Sequence, residues 1–500
     1  MADVSAHSTE SAGRSYSMIV VTAALLLVPA FLLLKKLMFP NFDPREPPVL
    51  RPRLPVFGHI ISLIRESGGF YARLYKENRL PICTLPMLHG KMYVANSPSL
   101  IAAAMCHGDI SFEPFQIEAS SAVLDLPKHH IDTLMQPGIL HQIEKTMAAN
   151  LRQEALQKMN HAALKYLAGV LNTINGISPL SDGFEWIKGT LTMATATALY
   201  GKDNMWDAKM LEDLWTFEKG AGLLVMKVAP NLVAPKAIAA RKRMSDLIRP
   251  FYQARKDENS DLGMPSEDLS QTEFLIPFAA TLNTASNLFW TFAEVFSRPE
   301  YVERVQQEVI RVAVEKKSET GRDVTINAKS LEADCPFLGA CFREVLRLHS
   351  AQIGNRRIMK DATLEDTDGR QYLLKKGTNM QWSASVTHFM PEIWGDDAAS
   401  FKPERFLDVD PRDEKRRRGA LIPFGGGRHL CPGRHFAQTE TLGFVSALAL
   451  GFDVDGVEVP AAEAPPLGGA TRRPASDRAA ENIKLSRRKG WEDVTWRFVC

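Results

Sequence analysis

Apolar residues follow three different patterns along the 500-residue chain. Near the N-terminus, residues 18–34 are almost unbroken apolar, and the run continues past a lysine pair to residue 39. Residues 82–96 alternate between apolar and polar side chains around a His-Gly pair, which is typical of a β-hairpin. Helical spacing dominates in most other stretches, notably about 112–257, 270–296 and 434–450. The pattern therefore predicts a mostly helical protein with a small sheet behind an apolar N-terminal segment.

The apolar N-terminal segment, residues 18–39, is long enough to span a bilayer if its lysines reach the interface. Five basic residues follow the unbroken run 18–34, within residues 35–53, and one precedes it, so the positive-inside rule places the body of the protein in the cytoplasm. We expect a short lumenal N-terminus (1–17), a transmembrane signal anchor (18–39) and a proline-rich hinge (40–56). A cleaved signal peptide is the alternative, but no small-x-small cleavage site follows the apolar run.

Two capping patterns delimit a long apolar helix. Ser270-Gln-Thr-Glu273 begins it, and Pro277 is expected to kink its early part. The run to Phe296 is long enough to cross a whole domain. Ser297-Arg-Pro-Glu300 then predicts the start of another helix.

Composition and charge exclude several classes of function. Apolar residues make up 45% of the chain, enough for a large core, and 60 basic against 58 acidic residues leave a net charge of +2. No basic stretch interleaved with aromatic residues indicates nucleic-acid binding. The six cysteines are scattered without pairing spacing, so we expect no disulfide framework and a catalytic body in a reducing compartment.

The strongest candidate for chemistry is the glycine-rich segment Phe424–Gly433, which contains Cys431. Its three consecutive glycines allow a flat cofactor to approach the backbone closely. Pro432 suits the first position of the following helix, and a helix N-terminus stabilises a thiolate that can bind a metal or attack a substrate. A surface loop with an incidental cysteine is the alternative. The segment lacks the residues that a phosphate loop or a zinc site needs.

The spacing of Phe424, Gly427, Cys431 and Gly433 is Phe-x-x-Gly-x-x-x-Cys-x-Gly, which resembles the haem-binding loop of the cytochrome P450 family. This resemblance implies the family's fold, mostly α with a small β subdomain. It also implies a single haem-binding catalytic domain over residues 57–500, behind the N-terminal transmembrane helix.

The same resemblance implies roles for residues of the loop. Cys431 is expected to be the axial ligand of haem b, and Phe424 to pack beside it. His429 occupies the position where the family usually has an arginine that pairs with a haem propionate. Arg428, one residue earlier, is expected to share or assume that role.

Glu344 and Arg347 are three positions apart and share one face of a predicted helix. From the residues alone, such a pair is more often an exposed salt bridge. Together with Arg405 in Pro403-Glu-Arg-Phe406, however, the pair resembles two further motifs of the family. The resemblance implies a buried network of these three charges that supports the cysteine loop.

Ala279–Thr284 lies where the family's oxygen-pocket helix normally carries Ala/Gly-Gly-x-Asp/Glu-Thr, and departs from that motif. Either Thr284 is the family's threonine and Asn283 replaces the acid, or Asn283 itself replaces the threonine. We favour the second register, because Asn283–Trp290 resembles the cholesterol 7α-hydroxylase and prostacyclin synthase branch of the family. Both residues are candidate catalytic residues. The bland alternative is that they only satisfy backbone groups of a buried helix.

The resemblance predicts a membrane-anchored monooxygenase that uses NADPH-derived electrons to insert one oxygen atom from O2 into a lipophilic substrate, such as a sterol, terpenoid or other specialised metabolite. The expected partners are NADPH-cytochrome reductase, cytochrome b5 as a further electron donor, and the endoplasmic reticulum membrane, with a monomeric catalytic domain on the cytoplasmic side. A reductase-independent isomerase or dehydratase of a peroxide is the first alternative. A non-catalytic haem-binding protein is the second.

For three other segments, the sequence is compatible with two interpretations each. Lys415–Arg418 is either a docking site for an acidic electron donor or a solvated basic loop. Residues 220–235 are either a membrane-facing substrate entrance, as the resemblance implies, or core. His129 and His130 are more often part of a solvated loop than metal ligands or propionate partners when no other ligand spacing accompanies them.

Overall fold

The structure is a computed structural model that describes residues 21, 25–32, 42–51, 59–66, 68–87, 90–136, 138–254, 270, 272–273, 275–319, 321–465, 469–475 and 482–500. Most of the predicted anchor, hinge and N-terminus lies outside these residues, so the boundaries at 17, 39 and 56 stay predictions. Residues 25–32 are helical and exposed. Within the described ranges, no helix combines the length and hydropathy needed to cross a bilayer.

The fold is mostly α-helical with small β-sheets, as predicted. The helices are, in order, α1 Ile60–Glu66, α2 Gly68–Asn78, α3 Pro98–Cys106, α4 Glu113–Leu124, α5 Lys128–Leu134, α6 Ile139–Asn150, α7 Gln153–Thr173, α8 Gly183–Tyr200, α9 Ala208–Val225, α10 Pro230–Val233, α11 Pro235–Ala254, α12 Leu275–Phe296, α13 Pro299–Val312, α14 Ala328–Asp334, α15 Pro336–His349, α16 Ala384–Thr387, α17 Pro391–Trp394, α18 Pro411–Ala420 and α19 Arg434–Gly451. Short 3-10 turns span Pro403–Phe406 and Gly427–His429.

The strands are short. In chain order they are β1 Ile82–Met87, β2 Gly90–Ala95, β3 Ile110–Ser111, β4 Ser178–Pro179, β5 Ala313–Ser318, β6 Gly321–Asn327, β7 Ile353–Ile358, β8 Ala362–Glu365, β9 Gln371–Leu374, β10 Asn379–Ser383, β11 Phe452–Asp455, β12 Ala462–Glu463, β13 Arg473–Pro474, β14 Lys484–Arg487 and β15 Val494–Val499.

The chain divides into two compact units. The first consists of the described residues within 1–70, 74–111 and 355–382, and it is built on a five-stranded sheet in the order β1-β2-β10-β7-β3. The predicted hairpin is confirmed, because β1 and β2 pair antiparallel from Ile82 with Ala95 to Met87 with Gly90. Part of the predicted hinge also belongs to this sheet edge, since Leu50 N–H donates to Thr84 O over 2.9 Å.

The second unit, residues 71–73, 112–354 and 383–500, is mostly helical. Its main core surrounds α12, which packs against α8, α15 and α19 and is buried almost continuously from Thr281 to Phe296. A second core lies between α9 and α11. The central position of α12 agrees with the apolar run that predicted it.

Helix boundaries correct two details of the sequence analysis. α12 ends at Phe296 as predicted, but α13 begins at Pro299 with Arg298 as its N-cap and without a side-chain cap, so Ser297 does not form the expected capping box. His129 and His130 lie in α5 rather than in a solvated loop, and His130 is buried. The first difference is a shift of one residue at a helix end, where boundaries are least determined. The second arises because tertiary packing overrides weak local preferences in a short segment.

Candidate active site

The segment Phe424–Gly433 connects α18 to α19 within the second unit. Gly425 and Gly427 have φ angles of +71° and +61°, a region that favours glycine. Cys431 N–H donates to Phe424 O over 3.0 Å, which closes the loop on itself. Phe424 packs against the main core, so the loop is attached to the helical body at its beginning.

Cys431 lies just before α19, but the helix begins at Arg434 with Gly433 as its N-cap. Pro432 is therefore not its first residue, contrary to the prediction. The N–H groups of Gly433 and Arg434 still point at the Cys431 sulfur. Burial raises the pKa of the Cys431 thiol, and these N–H groups with the Arg434 charge lower that pKa only in part. A bonded metal cation would supply the remaining stabilisation of a thiolate.

The loop residues fit a haem held by one thiolate. Cys431 is partly exposed, and residues 425–430 beside it are partly or fully exposed. A Cβ at Gly425 would lie 3.5 Å from His429 O and 3.6 Å from Gln352 Nε2, so a larger side chain there would fill the space beside the loop. A single sulfur ligand on a glycine-lined surface suits a cofactor that brings its own four nitrogen ligands.

The three charges predicted as a network lie together and are buried. Arg347 Nη2 and Nε each donate to Glu344 carboxylate oxygens over 2.7 Å, and neither side chain is exposed. Arg405 Nε donates to the same carboxylate over 3.2 Å. Because all three side chains are removed from solvent, the alternative of an exposed surface salt bridge does not describe them.

Carbonyl groups complete the environment of these arginines. Arg347 Nη1 donates to His388 O over 2.8 Å and to Ala398 O over 2.7 Å. Arg405 also pairs with Asp397, Nη2 to Oδ1, at 2.7 Å. The network thus ties α15 to the chain between α16 and the turn Pro403–Phe406.

His429 lies against a carboxylate. Its Nδ1 is 3.1 Å from Glu144 Oε1 of α6, and its ring meets Phe112 edge-on at 5.5 Å. Arg428 is exposed. Glu144 therefore fixes the orientation of the His429 imidazole. Local sequence patterns could not indicate this contact, because the two residues are 285 positions apart.

Asn283 and Thr284 occupy different environments in α12. Asn283 is partly exposed, and its Oδ1 accepts a hydrogen bond from Ala470 N–H over 3.3 Å. Thr284 is buried, and its hydroxyl donates to Ala280 O over 2.8 Å. The two residues therefore differ in burial and in hydrogen-bond partner, and the preferred register, with Asn283 in the threonine position, stays a prediction.

An ion pair beside Asn283 was not predicted. Arg473 Nη2 contacts Glu218 Oε1 of α9 at 2.7 Å, and Arg473 Nη1 donates to Leu282 O over 3.2 Å. Both charged side chains are largely buried. The segment 469–475 is therefore fastened to α12 and α9 by long-range contacts that carry no local sequence signal.

Comparison with known proteins shows extensive similarity. A sequence model described as Cytochrome P450 matches residues 234–475. A cytochrome P450 monooxygenase of Gibberella zeae is 34% identical over 486 residues, covering 92% of both chains. The cytochrome P450 monooxygenase nodJ of Hypoxylon pulicicidum is 27% identical, covering 91% of this chain and 92% of its own. Prostacyclin synthase of Rattus norvegicus is 24% identical, with 87% and 93% covered.

These relatives confirm the likeness that α12 indicated. Cholesterol 7α-hydroxylase and prostacyclin synthase are both among them. The resemblance indicated by the pattern around Asn283 is therefore found again over most of the chain.

Proposed function

Since the chain belongs to the cytochrome P450 family and is a haem-dependent monooxygenase, we propose that it inserts one oxygen atom from O2 into a lipophilic substrate with electrons that derive from NADPH. The carrying observation is that one compact unit holds Cys431 in a glycine loop and a buried network of Glu344, Arg347 and Arg405. A sterol, terpenoid or other specialised metabolite is the proposed class of substrate.

The cofactor is haem b, and we propose that Cys431 holds its iron. A haem bound through a thiolate supplies the oxygen-activating chemistry. Phe424, Gly427 and Gly433 shape the loop around the sulfur. The network of Glu344, Arg347 and Arg405 fixes the position of the chain between α16 and the turn Pro403–Phe406, which precedes the loop. His429 and Arg428 are the proposed propionate partners from this loop.

Asn283 is the proposed positioning group for oxygen and protons. Its Oδ1 accepts a hydrogen bond from Ala470 N–H, so its Nδ2 is the atom that can donate hydrogen bonds to a bound group. An amide in this position can hold a water or a substrate oxygen but is a poor proton carrier. Thr284, which is buried, supports this part of α12 through its bond to Ala280 O.

The reduced enzyme with carbon monoxide tests the ligand assignment. We expect the Soret band typical of thiolate ligation in the wild type and its loss in Cys431→Ala. Cys106→Ala, which changes an exposed cysteine, should keep the band. A band typical of histidine ligation in the wild type would refute the assignment.

An electron donor is proposed to dock on the basic surface formed by α18 and Arg343. Arg343, Arg405, Arg417 and Arg418 line a cavity of about 280 Å³ there. Arg343 and Arg417 have no ion pair to a carboxylate within the part of the chain that the structure describes. Acidic side chains of NADPH-cytochrome reductase or cytochrome b5 would complement these charges.

Membrane attachment at the endoplasmic reticulum is proposed on two grounds, with the catalytic domain as a monomer on the cytoplasmic side. The apolar segment 18–39 is one. The other is an exposed apolar patch at the end of α9 and in α10, which consists of Leu223, Val225, Met226, Val228, Leu232 and Val233. Such a patch is typical of a surface that contacts lipid or another protein, so of the two interpretations of residues 220–235 we propose the membrane-facing entrance.

A second candidate function is the reductase-independent rearrangement of a peroxide. Asn283 and the similarity to prostacyclin synthase favour it. The two functions separate in one assay: turnover of a fatty-acid hydroperoxide without NADPH supports the isomerase. Absolute dependence on the reductase, with product oxygen labelled from O2, supports the monooxygenase.

A further inference from the structure

His388 is a fully buried histidine that no step above uses. It follows α16 directly, and both of its ring nitrogens contact backbone groups. Nδ1 lies 2.9 Å from Arg347 O of α15, and Nε2 lies 2.9 Å from the N–H of Ile422. The imidazole therefore bridges the charged network and the chain that leads into the cysteine loop.

The partners of the ring determine its tautomer. Arg347 O can only accept a hydrogen bond, so Nδ1 carries the proton, and Ile422 N–H can only donate, so Nε2 presents its lone pair. A second proton would place two N–H groups against each other at Ile422. Burial also lowers the pKa of His388 to about 3, which agrees with a neutral ring.

Both ends of this bridge are coupled to functional elements. On one side, Arg347 Nη1 donates to His388 O over 2.8 Å, so the same arginine contacts the histidine twice. On the other side, Ile422 O accepts from Gly425 N–H over 3.1 Å, and Phe424 O accepts from Cys431 N–H over 3.0 Å. Four consecutive hydrogen bonds thus run from α15 to the backbone of the cysteine.

We infer that His388 is a positioning residue for the cysteine ligand, because its neutral Nε2 fastens Ile422, and with it the start of the cysteine loop, to α15. This inference rests on the proposed role of Cys431. We infer specifically that the hydrogen bond from Ile422 N–H to Nε2, and not the volume of the imidazole, keeps the cysteine loop in position. Apolar packing alone would leave Ile422 N–H and Arg347 O buried without partners.

Three substitutions of His388 distinguish the effect of the Nδ1 hydrogen bond from that of the Nε2 hydrogen bond. The amide of His388→Gln can place an acceptor near the Nε2 position, whereas His388→Asn can place a donor only near Nδ1, and His388→Leu keeps volume without either bond. His349→Gln is the matched control, because His349 is also buried on α15 but contacts Glu294 instead of the loop.

The readout is the stability of the thiolate-type Soret band in the reduced carbon monoxide complex, followed over time at fixed temperature, together with the haem content after gel filtration. We expect His388→Asn and His388→Leu to lose the thiolate band roughly tenfold faster than the wild type, the cost of about one buried hydrogen bond. His388→Gln and His349→Gln should stay within roughly twofold of it.

Equal losses in His388→Gln and His388→Asn would overturn the inference, as would wild-type behaviour of His388→Leu. If the leucine variant does not fold, ¹⁵N-histidine NMR of the wild-type ferrous carbonyl form decides instead. The inference requires a neutral Nδ1–H tautomer at pH 5, and the Nε2–H tautomer or a protonated ring there would contradict it. Absence of a thiolate band in the wild type would refute the proposed role of Cys431 itself, which is a distinguishable result.

Discussion

At the residue scale, the Glu344–Arg347–Arg405 network is held together by charges that water does not reach. Removing ions from water is costly, and the cost is offset only while every charge keeps its partners. Arg347 meets this condition through two bonds to Glu344 and through the carbonyls of His388 and Ala398. The network is therefore better understood as a device that fixes geometry than as a source of net stability.

Arg347→Met should lower the free energy of unfolding by about 3–5 kcal/mol, because it leaves the fully buried Glu344 without its bidentate partner. Urea unfolding followed by circular dichroism measures the change. Arg418→Met is the control, since Arg418 pairs with Glu414 at side-chain exposures of 75% and 57% and should change stability by less than about 1 kcal/mol. Similar values for the two variants would contradict the buried-charge argument.

Site residues could be predicted where the residues that define a motif lie close together in the sequence. Cys431 is identified by the spacing of one loop, and Glu344 with Arg347 by one helical turn. The contacts of Asn283 with Ala470 and of Glu218 with Arg473 could not be predicted, because they depend on how distant segments pack. The prediction that a helix N-terminus lowers the pKa of the Cys431 thiol is wrong for the protein alone, because burial raises this pKa more than the nearby N–H groups lower it.

At the element scale, α19 carries a buried acid that the site does not use. Glu440 is fully buried, and its Oε1 accepts a hydrogen bond from Thr195 of α8 over 3.0 Å. Its Oε2 has no hydrogen-bond partner among the described residues. Burial raises the pKa of Glu440 to about 8, so the side chain is protonated at neutral pH and joins two helices as a neutral group.

This pKa predicts how stability depends on pH. Between 4.5, the ordinary pKa of the carboxyl group, and about 8, the folded state holds a proton that the unfolded state has lost. Rising pH therefore favours unfolding in this window, by about 1.4 kcal/mol per pH unit for this one group. Glu440→Gln should remove that slope, and the difference in free energy of unfolding between variant and wild type should grow from pH 5 to pH 8.

Comparison with a surface substitution isolates the effect. Glu332→Gln changes an exposed glutamate of α14 and should leave the pH dependence of the wild type in place. A constant difference between Glu440→Gln and wild type across pH 5–8 would mean that the carboxyl group ionises normally in the folded protein. His388 stays neutral in the folded state, so its contribution to the free energy of unfolding is lost as pH falls below 6.5. Because wild type and variant share this contribution, it cancels in the difference between their free energies of unfolding.

Interiors of elements were easier to predict than their ends. The apolar spacing identifies α12 and α19, and alternation identifies the hairpin of β1 and β2, because burial imposes those periods. α13 begins one residue later than its predicted capping box implies, and α19 begins two residues after Pro432, its predicted first residue. The segment Lys415–Arg418, with two interpretations in the sequence, lies in the helix α18.

At the scale of the whole molecule, the net charge of +2 hides an uneven distribution. α18 alone contains five basic residues against two acidic ones within Pro411–Ala420. Two of its arginines form ion pairs with its own acids, Arg416 with Asp413 and Arg418 with Glu414. Arg417 lines the same cavity as Arg343 and Arg405, in the unit that contains Cys431.

If this surface receives the electron donor, Lys415→Glu should weaken reduction by NADPH-cytochrome reductase. We expect the concentration of reductase at half-maximal rate to rise severalfold at low ionic strength, with the difference from wild type shrinking as salt screens the charges. Lys317→Glu on β5 makes the same change in net charge at another exposed position and should have little effect. Because both variants change the net charge by the same amount, an identical loss in the two would argue against a docking surface on α18. A loss confined to Lys415→Glu that disappears at high salt would support electrostatic docking on α18.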